Sequence, residues 1–127
     1  MELKLDLIRD VLLYAESLPL GQTSLDFPVS ESPFLKKYTE EEIVYALSKM
    51  GNDDGRLVKG SIQWSNAKPY FWSIGAPTYL GHQYLDNIRE QKIWDHVKKK
   101  AKTVGSVSLP ILNQIAIAYI KQSLGLQ

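Results

Sequence analysis

Residues 77–88 read PTYLGHQYLDNI and place a glycine, Gly81, in the middle of an otherwise amphipathic helix. Thr78 can cap this helix, and Leu85 and Ile88 continue its apolar side. A glycine inside a helix costs about 1 kcal/mol relative to alanine. It is retained most easily where the missing side chain lets another backbone approach closely. We therefore expect a strand of the preceding hairpin to lie against Gly81.

Two helices are predicted upstream of this stretch. Residues 7–18 carry apolar side chains at helical spacing until a proline and a glycine stop the run. Residues 38–51, YTEEEIVYALSKMG, place Thr39 at an N-cap and Glu42 three positions later. This spacing predicts a capping box, in which each side chain satisfies the other residue's backbone donor. The predicted buried stripe of the second helix is Ile43, Ala46, Leu47 and Met50, and Gly51 is predicted to end it.

Three strands are predicted between and after these helices. Residues 23–30, TSLDFPVS, alternate Leu25, Phe27 and Val29 on one face, and Pro28 restricts such a strand to a sheet edge. Residues 56–64 and 69–74 then flank a short polar loop, SNAK, which predicts a hairpin.

Two or three helices are predicted after the hairpin. An apolar stripe of Ile93, Trp94, Val97, Ala101 and Val104 runs to Gly105, and the pattern leaves open whether it continues the helix of Gly81 or begins near Asn87. Ser108 is predicted to cap the last helix, with Pro110 in its first turn and Gly125 at its end. Its predicted inward side chains are Ile111, Leu112, Ile115, Ala116 and Tyr119. The predicted class is α+β with helix dominant.

Composition restricts the chemistry of this 127-residue chain. It has no cysteine, which excludes a disulfide scaffold, a cysteine nucleophile and a cysteine zinc site. The formal net charge of +1 provides no global field to attract nucleic acid or acidic membranes. No apolar run approaches the roughly 20 residues of a membrane span, so we expect a soluble, cytoplasmic protein without membrane contact.

The order helix, strand, helix and hairpin is that of a winged-helix domain. Pro77, Thr78, Gly81 and Leu85 resemble the signature L-T-x-x-G-x-x-L with which many winged-helix regulators enter the helix after the wing. The chain also resembles an uncharacterised family of small proteins common in phages and prophages. The motifs that carry this second resemblance are residues 5–10 (LDLIRD), Gly81-His82, residues 85–89 (LDNIR), Trp94 and Ser108-Leu109.

The resemblance implies one winged-helix-like domain over residues 1–127, with residues 90–127 as a C-terminal helical hairpin extension. It implies a mobile-element setting in a host cell and no agreed activity. The chain departs from the pattern L-x-x-A-G-L-I that usually leads into the wing. It has residues 48–51, SKMG, followed by a polar insertion at residues 52–55, NDDG, which we interpret as a turn.

We expect no enzyme, no metal and no cofactor. His82 and His96 are fourteen residues apart and lack the spacing that directs two ligands at one ion. The glycines near residues 51–60 lack the G-K-S/T ending of a phosphate loop. Glu40, Glu41 and Glu42 lie in the first turn of a helix, where carboxylates complement the helix dipole.

One hypothesis is a winged-helix transcriptional regulator that binds duplex DNA. The helix before the wing normally enters the major groove, but here its first turn carries three glutamates that would repel phosphates. A wing-led contact would use basic residues around this helix and the hairpin, namely Lys36, Lys37, Lys49, Arg56, Lys59 and Lys68. Further along, Lys98, Lys99, Lys100 and Lys102 form either a solvated helix face or a functional patch.

The other hypothesis, which we favour, is a module that binds a host or phage protein. Aromatic residues concentrate on the predicted hairpin, and alternation sends Tyr70 and Trp72 to one face and Phe71 to the other. Exposed aromatic side chains are typical anchors of an interface. The predicted protein-binding residues are Glu40, Glu41, Tyr45, Trp64, Tyr70 and Trp72. Such a surface suits a homodimer or a counter-defence inhibitor, for example of a CRISPR nuclease.

Overall fold

The part of the chain that the computed structural model describes, residues 1–51, 56–105 and 108–125, contains five α-helices, a short 3₁₀-helix at Val29–Glu31 and one antiparallel hairpin. In chain order the α-helices and strands are α1 (Leu5–Ser17), α2 (Glu40–Met50), β1 (Val58–Ser65), β2 (Lys68–Pro77), α3 (Tyr79–Ile88), α4 (Gln91–Val104) and α5 (Leu109–Ser123). The predicted class, α+β with helix dominant, is confirmed. The predicted turn at residues 52–55 lies outside the described residues.

The chain divides into two compact units, Met1–His82 and Gln83–Gln127, here called unit 1 and unit 2. In unit 1 the hairpin packs on α1 and α2, which also pack on each other. The predicted stripe of α2 is buried. Of the apolar residues predicted for the first helix, Leu18 follows the end of α1 and is half-buried, and the others, Leu7, Ile8, Val11, Leu12 and Ala15, are buried. The core of unit 1 includes Leu7, Val11, Leu12, Ile43, Ala46, Leu47, Met50, Leu57, Val58 and Ile74.

The predicted edge strand at residues 23–30 is wrong. Two backbone N–H groups of this segment bond to nearby side chains and not to a neighbouring strand. The Thr23 N–H donates to Asp26 Oδ2 at 3.0 Å, and the Leu25 N–H donates to Thr23 Oγ1 at 3.1 Å. Leu25 is 62% exposed, so the alternating side chains do not face the core. One attachment to the sheet remains, since the Ser24 N–H donates to the Ile74 carbonyl at 2.9 Å and the Ile74 N–H donates to Ser24 Oγ at 2.8 Å.

The hairpin is confirmed, with a shorter turn than the four polar residues predicted. Ser65 pairs with Lys68, which leaves Asn66 and Ala67 as a two-residue turn. Both have positive φ, +51° and +64°, as a type I′ turn requires. Asparagine tolerates this conformation, whereas for alanine it is strained.

Gly81 lies against the residue that leads into β1, as predicted. A Cβ atom at position 81 would stand 1.9 Å from the Leu57 carbonyl oxygen, far inside any real contact. That oxygen accepts the Thr78 N–H at 3.0 Å, and the Gly81 N–H donates to Thr78 Oγ1 at 3.0 Å, so Thr78 caps α3. Two further backbone bonds close the connection from α2 to β1, from Leu57 N–H to Met50 and from Arg56 N–H to Gly51, both at 2.7 Å.

In unit 2 the helices α3 and α4 are separate, and α4 packs on α5. The predicted side chains Trp94, Val97, Ala101, Leu112 and Ala116 are buried. Two predicted inward residues are exposed, Val104 by 65% and Ile111 by 42%. Val104 is the last residue of α4, and Ile111 lies about 100° around α5 from Leu112. Ser108 occupies the N-cap position but makes no capping hydrogen bond with its side chain.

Candidate protein-binding surface

The N-terminus of α2 is acidic and firmly capped. Thr39 Oγ1 accepts the Glu42 N–H at 3.2 Å, and the Thr39 N–H donates to Glu42 Oε1 at 3.0 Å, so the predicted capping box is confirmed. Glu42 also pairs with the Lys4 ammonium. The hydrogen bond from Lys4, followed by the one from the Thr39 backbone, holds the pKa of Glu42 below its usual range. Glu42 thus serves the helix, whereas Glu40 and Glu41 are exposed beside it.

One face of the hairpin packs on α2 near the base of the hairpin and is exposed to solvent near the hairpin turn. Gly60 pairs with Ile74 and Ile62 with Trp72, and cross-strand partners share a face. Along this face Ile74 is fully buried, Trp72 is half-buried, and Trp64, two residues beyond Ile62, is 51% exposed. The aromatic side chains near the turn therefore extend beyond the cover of the helix.

A hydrogen bond joins this face to the acidic start of α2. Trp72 Nε1 donates to Glu40 Oε1 at 3.0 Å. The charged acceptor strengthens the bond and holds the indole beside the first turn of the helix. Glu40, Glu41, Trp64 and Trp72 are hereafter called the acidic–aromatic surface.

Tyr70 and Phe71 lie on the opposite face of the hairpin. The register skips Tyr70 between the partners of Gln63 and Trp64, so Tyr70 is the extra residue of a β-bulge. Its hydroxyl donates to Gln63 Oε1 at 2.6 Å, and Gln63 is the partner of Phe71. The predicted placement of Tyr70 on the face of Trp72 is wrong, because the bulge interrupts the alternation. Tyr70 is 65% and Phe71 40% exposed, so both faces present aromatic side chains near the turn.

Two of the six basic residues predicted to contact DNA are held by other side chains. The Lys37 ammonium lies 3.2 Å from Asp10 Oδ2, which also accepts the Tyr38 hydroxyl at 2.7 Å. Burial and this hydrogen bond raise the pKa of Tyr38. The Lys49 ammonium lies 5.6 Å from the ring centroid of Tyr45, the half-buried aromatic predicted to bind protein.

The other four basic residues are exposed but dispersed. Lys36 precedes α2 in the chain, and Arg56 precedes β1. Lys59 lies near the base of the hairpin and Lys68 at its turn, separated along β1 by roughly 20 Å. Aromatic residues occupy the hairpin between them, so a basic stripe does not run along it.

The described residues were searched for metal sites and membrane spans. Among residues 1–51, 56–105 and 108–125, no group of three histidine, aspartate or glutamate side chains could hold a metal ion. No helix in the same ranges is both long and apolar enough to cross a membrane. The two histidines have separate partners, since His82 Nδ1 lies 4.0 Å from Glu16 Oε2 and His96 stacks on Tyr119.

An open groove of about 340 Å³ lies between the end of α1 and the loop before α2. Its lining is mainly aromatic and proline side chains, with Phe27, Pro28 and Phe34 among them, and two carboxylates, Asp26 and Glu31, stand at its edge. The Tyr14 hydroxyl at this groove donates to the Phe27 carbonyl, and burial raises the pKa of Tyr14 to about 12.

A known protein family matches most of the chain. A family model described as "Hypothetical protein (DUF2513)" matches residues 2–108. The chain belongs to this family. DUF2513 is a domain of unknown function, and its match includes all of the acidic–aromatic surface and the whole of α4, while α5 begins at its end. No curated protein and no solved structure matches the DUF2513 chain significantly.

Proposed function

We propose that this DUF2513 chain is a non-catalytic module that binds a partner protein through the acidic–aromatic surface. The observation that carries the proposal is the Trp72–Glu40 hydrogen bond, which joins the exposed Glu40 carboxylate to the half-buried Trp72 ring. Aromatic anchors supply most of the energy of an interface, and carboxylates select a basic partner surface. The partner that fits is a protein with a basic groove and an apolar recess beside it.

We further propose that unit 1 is winged-helix-like. The order α1, α2, hairpin and α3 supports this, as does the position of Gly81 against the backbone leading into the hairpin. The strand that a winged helix has between its first two helices is missing at residues 23–30, where Ser24 meets β2 through one backbone and one side-chain hydrogen bond with Ile74. A fold of this kind hosts many functions, so the surface carries the functional proposal.

The resemblance to small phage and prophage proteins supports a setting inside a host cell. There the proposed module would act as a counter-defence inhibitor of a host protein. A nuclease, including one of a CRISPR system, has the fitting chemistry, because an enzyme that holds nucleic acid presents a basic groove. The acidic first turn of α2 would occupy that groove in place of phosphates.

The contacts favour a basic protein partner over duplex DNA as the ligand of the face formed by α2 and the hairpin. The first turn of α2 presents Glu40 and Glu41 where a recognition helix would meet phosphates. Lys37 and Lys49 are held by other side chains, and the exposed end of the hairpin is aromatic. A DNA contact through the hairpin would have to rely on four dispersed basic residues, Lys36, Arg56, Lys59 and Lys68.

The test is capture of host protein by the tagged chain, with and without nuclease treatment, using the double variant Glu40→Lys/Glu41→Lys. Each substitution changes the charge by two units, and the exposed positions predict a folded variant. We expect the variant to lose a nuclease-resistant partner and to gain non-specific DNA affinity. Glu31→Lys/Glu90→Lys makes the same charge change at exposed positions outside this surface and should retain the partner.

A second pair of variants tests the aromatic contribution. Trp64→Ala should weaken the captured complex by about 2 kcal/mol or more, as truncation of an anchor does. Tyr79→Ala removes another exposed aromatic, 79% exposed at the start of α3, and should leave affinity unchanged. Wild-type partner binding by both the double lysine variant and Trp64→Ala would overturn the proposal.

A further inference from the structure

Charge is distributed unevenly between the two units. Residues 1–82 contain 8 basic and 11 acidic residues, a net charge of −3, whereas residues 83–127 contain 7 basic and 3 acidic residues, a net charge of +4. The overall charge of +1 conceals this difference. Such asymmetry between parts of one chain is typical of proteins that contact a polyanion.

The positive charge of unit 2 is concentrated on α4. This helix carries five lysines and one aspartate within 14 residues. Lys92, Lys99 and Lys102 are exposed and lie on one face, because residues separated by three and seven positions align on a helix. Lys100 is exposed and flanks that face, whereas Lys98 is half-buried and its ammonium lies 5.9 Å from the ring centroid of Trp94. From Lys92 to Lys102 the helix rises about 15 Å.

Unit 2 contains three carboxylates, Asp86, Asp95 and Glu90, and Glu90 is the N-cap residue of α4. Asp95 lies on the same face and accepts a hydrogen bond from Gln91 Nε2 at 2.8 Å. Asp86 pairs with the guanidinium of Arg89 at 3.1 Å. The negative charge of Asp95 therefore reduces the positive potential of the lysines. Replacing Asp95 by asparagine tests this effect.

The apolar side of α4 is not available to a ligand. Trp94, Val97 and Ala101 are each no more than 1% exposed. α4 packs on α5, and the rings of His96 and Tyr119 stack with centroids 4.0 Å apart. A basic amphipathic helix enters a lipid surface with its apolar face, which is here buried. What remains is a row of ammonium groups on one helix, a surface that attracts phosphates through charge alone.

We propose that the outer face of α4 binds the phosphate backbone of duplex nucleic acid without sequence preference. Over the 15 Å of this face a DNA duplex presents about nine phosphates, ample for the four exposed lysines. Lysine ammonium groups act as point charges, so they position a backbone and do not read bases. This site consists of residues of unit 2, whereas the acidic–aromatic surface consists of residues of unit 1, and it does not depend on the protein partner proposed for that surface.

The experiment measures binding of the full chain to a fluorescent 20-base-pair DNA of random sequence as salt rises from 50 to 200 mM. Four phosphate contacts predict a fall in affinity of roughly 150-fold over this range, whereas the affinity of Lys92→Gln/Lys99→Gln/Lys102→Gln should fall only about fourfold. At 50 mM salt the triple variant should bind at least tenfold more weakly than wild type. Asp95→Asn should bind more tightly, an effect that simple damage to the fold would not produce.

The matched control is Lys36→Gln/Lys59→Gln/Lys68→Gln, which removes three exposed lysines from unit 1 and should preserve the salt dependence of wild type. The proposal is overturned if wild type does not bind the duplex at 50 mM salt, or if the control lowers affinity as much as the α4 variant. A parallel assay measures binding to vesicles with 30% phosphatidylserine. The proposal is also overturned if the α4 variant loses affinity for these vesicles and keeps its affinity for the duplex. Circular dichroism checks that each variant is folded.

Discussion

Replacement of Gly81 by alanine should destabilise the chain, although alanine is the better helix former. The new Cβ would lie 1.9 Å from the Leu57 oxygen and 2.9 Å from its carbon, so the backbone must move by more than roughly 1 Å to restore ordinary contact. Overpacking of this kind costs about 1–3 kcal/mol. The shift also lengthens the 3.0 Å bond from Thr78 N–H to Leu57, worth about 1 kcal/mol. The higher helix propensity of alanine stabilises the variant by about 1 kcal/mol. The net decrease in the free energy of unfolding is therefore about 1–3 kcal/mol.

Urea unfolding followed by circular dichroism and tryptophan fluorescence measures this loss as a lower midpoint at constant slope. Gln83→Ala, at an exposed position of the same helix, is the control and should change stability by less than about 0.5 kcal/mol. Gly81→Leu should lose at least as much stability as Gly81→Ala. A Gly81→Ala protein as stable as wild type would show that the close approach to Leu57 is not what retains the glycine.

Three further variants test other contacts. Ala67→Gly should raise stability by about 0.5–1 kcal/mol in a thermal melt, because it relieves a φ of +64° in the hairpin turn; a lower melting temperature would contradict a type I′ turn. The pKa of Glu42 is lower in the folded than in the unfolded chain, so its contribution is complete above the ordinary glutamate pKa and is lost as pH falls through the folded value. Glu42→Gln should therefore flatten the dependence of stability on pH below the ordinary glutamate pKa, and an unchanged slope would refute the pairing with Lys4. The pKa of Tyr14 is raised to about 12, so the stabilisation from its neutral form is complete below pH 10 and disappears as pH rises through 12. Tyr14→Phe should unfold with less pH dependence in that window, and absorbance of tyrosinate should show one late-titrating phenol fewer.

Local sequence signals predicted the features that depend on neighbours in the chain. The capping box requires only Thr39 and Glu42, three positions apart. Gly81 was also informative, since a glycine inside an amphipathic pattern requires a steric reason, and the Leu57 carbonyl supplies it. The class and the order of the α-helices and the hairpin followed from such signals. The false strand at residues 23–30 shows their limit, because Thr23 and Asp26 satisfy the backbone locally in a way that hydrophobic alternation does not reveal.

The acidic–aromatic surface could be predicted only as a set of residue types. Glu40 and Trp72 are separated by 32 positions, and no periodicity predicts that an indole N–H meets a particular carboxylate. The face of Tyr70 depends on a bulge that shifts the register by one residue. Similarly, Lys37 resembled a DNA ligand in the sequence, and only the approach of α1 shows that Asp10 holds it. These features depend on packing between elements.

The two backbone bonds that close the connection between α2 and β1 have a practical consequence for engineering. The bonds of Met50 with Leu57 and of Gly51 with Arg56 join the two ends of the connection. The cost of lengthening a closed loop rises slowly, by about 0.6 kcal/mol for each doubling of its length. Positions 52–55 should therefore accept an epitope or a fluorophore-binding peptide, giving an internal handle that leaves both chain termini unmodified.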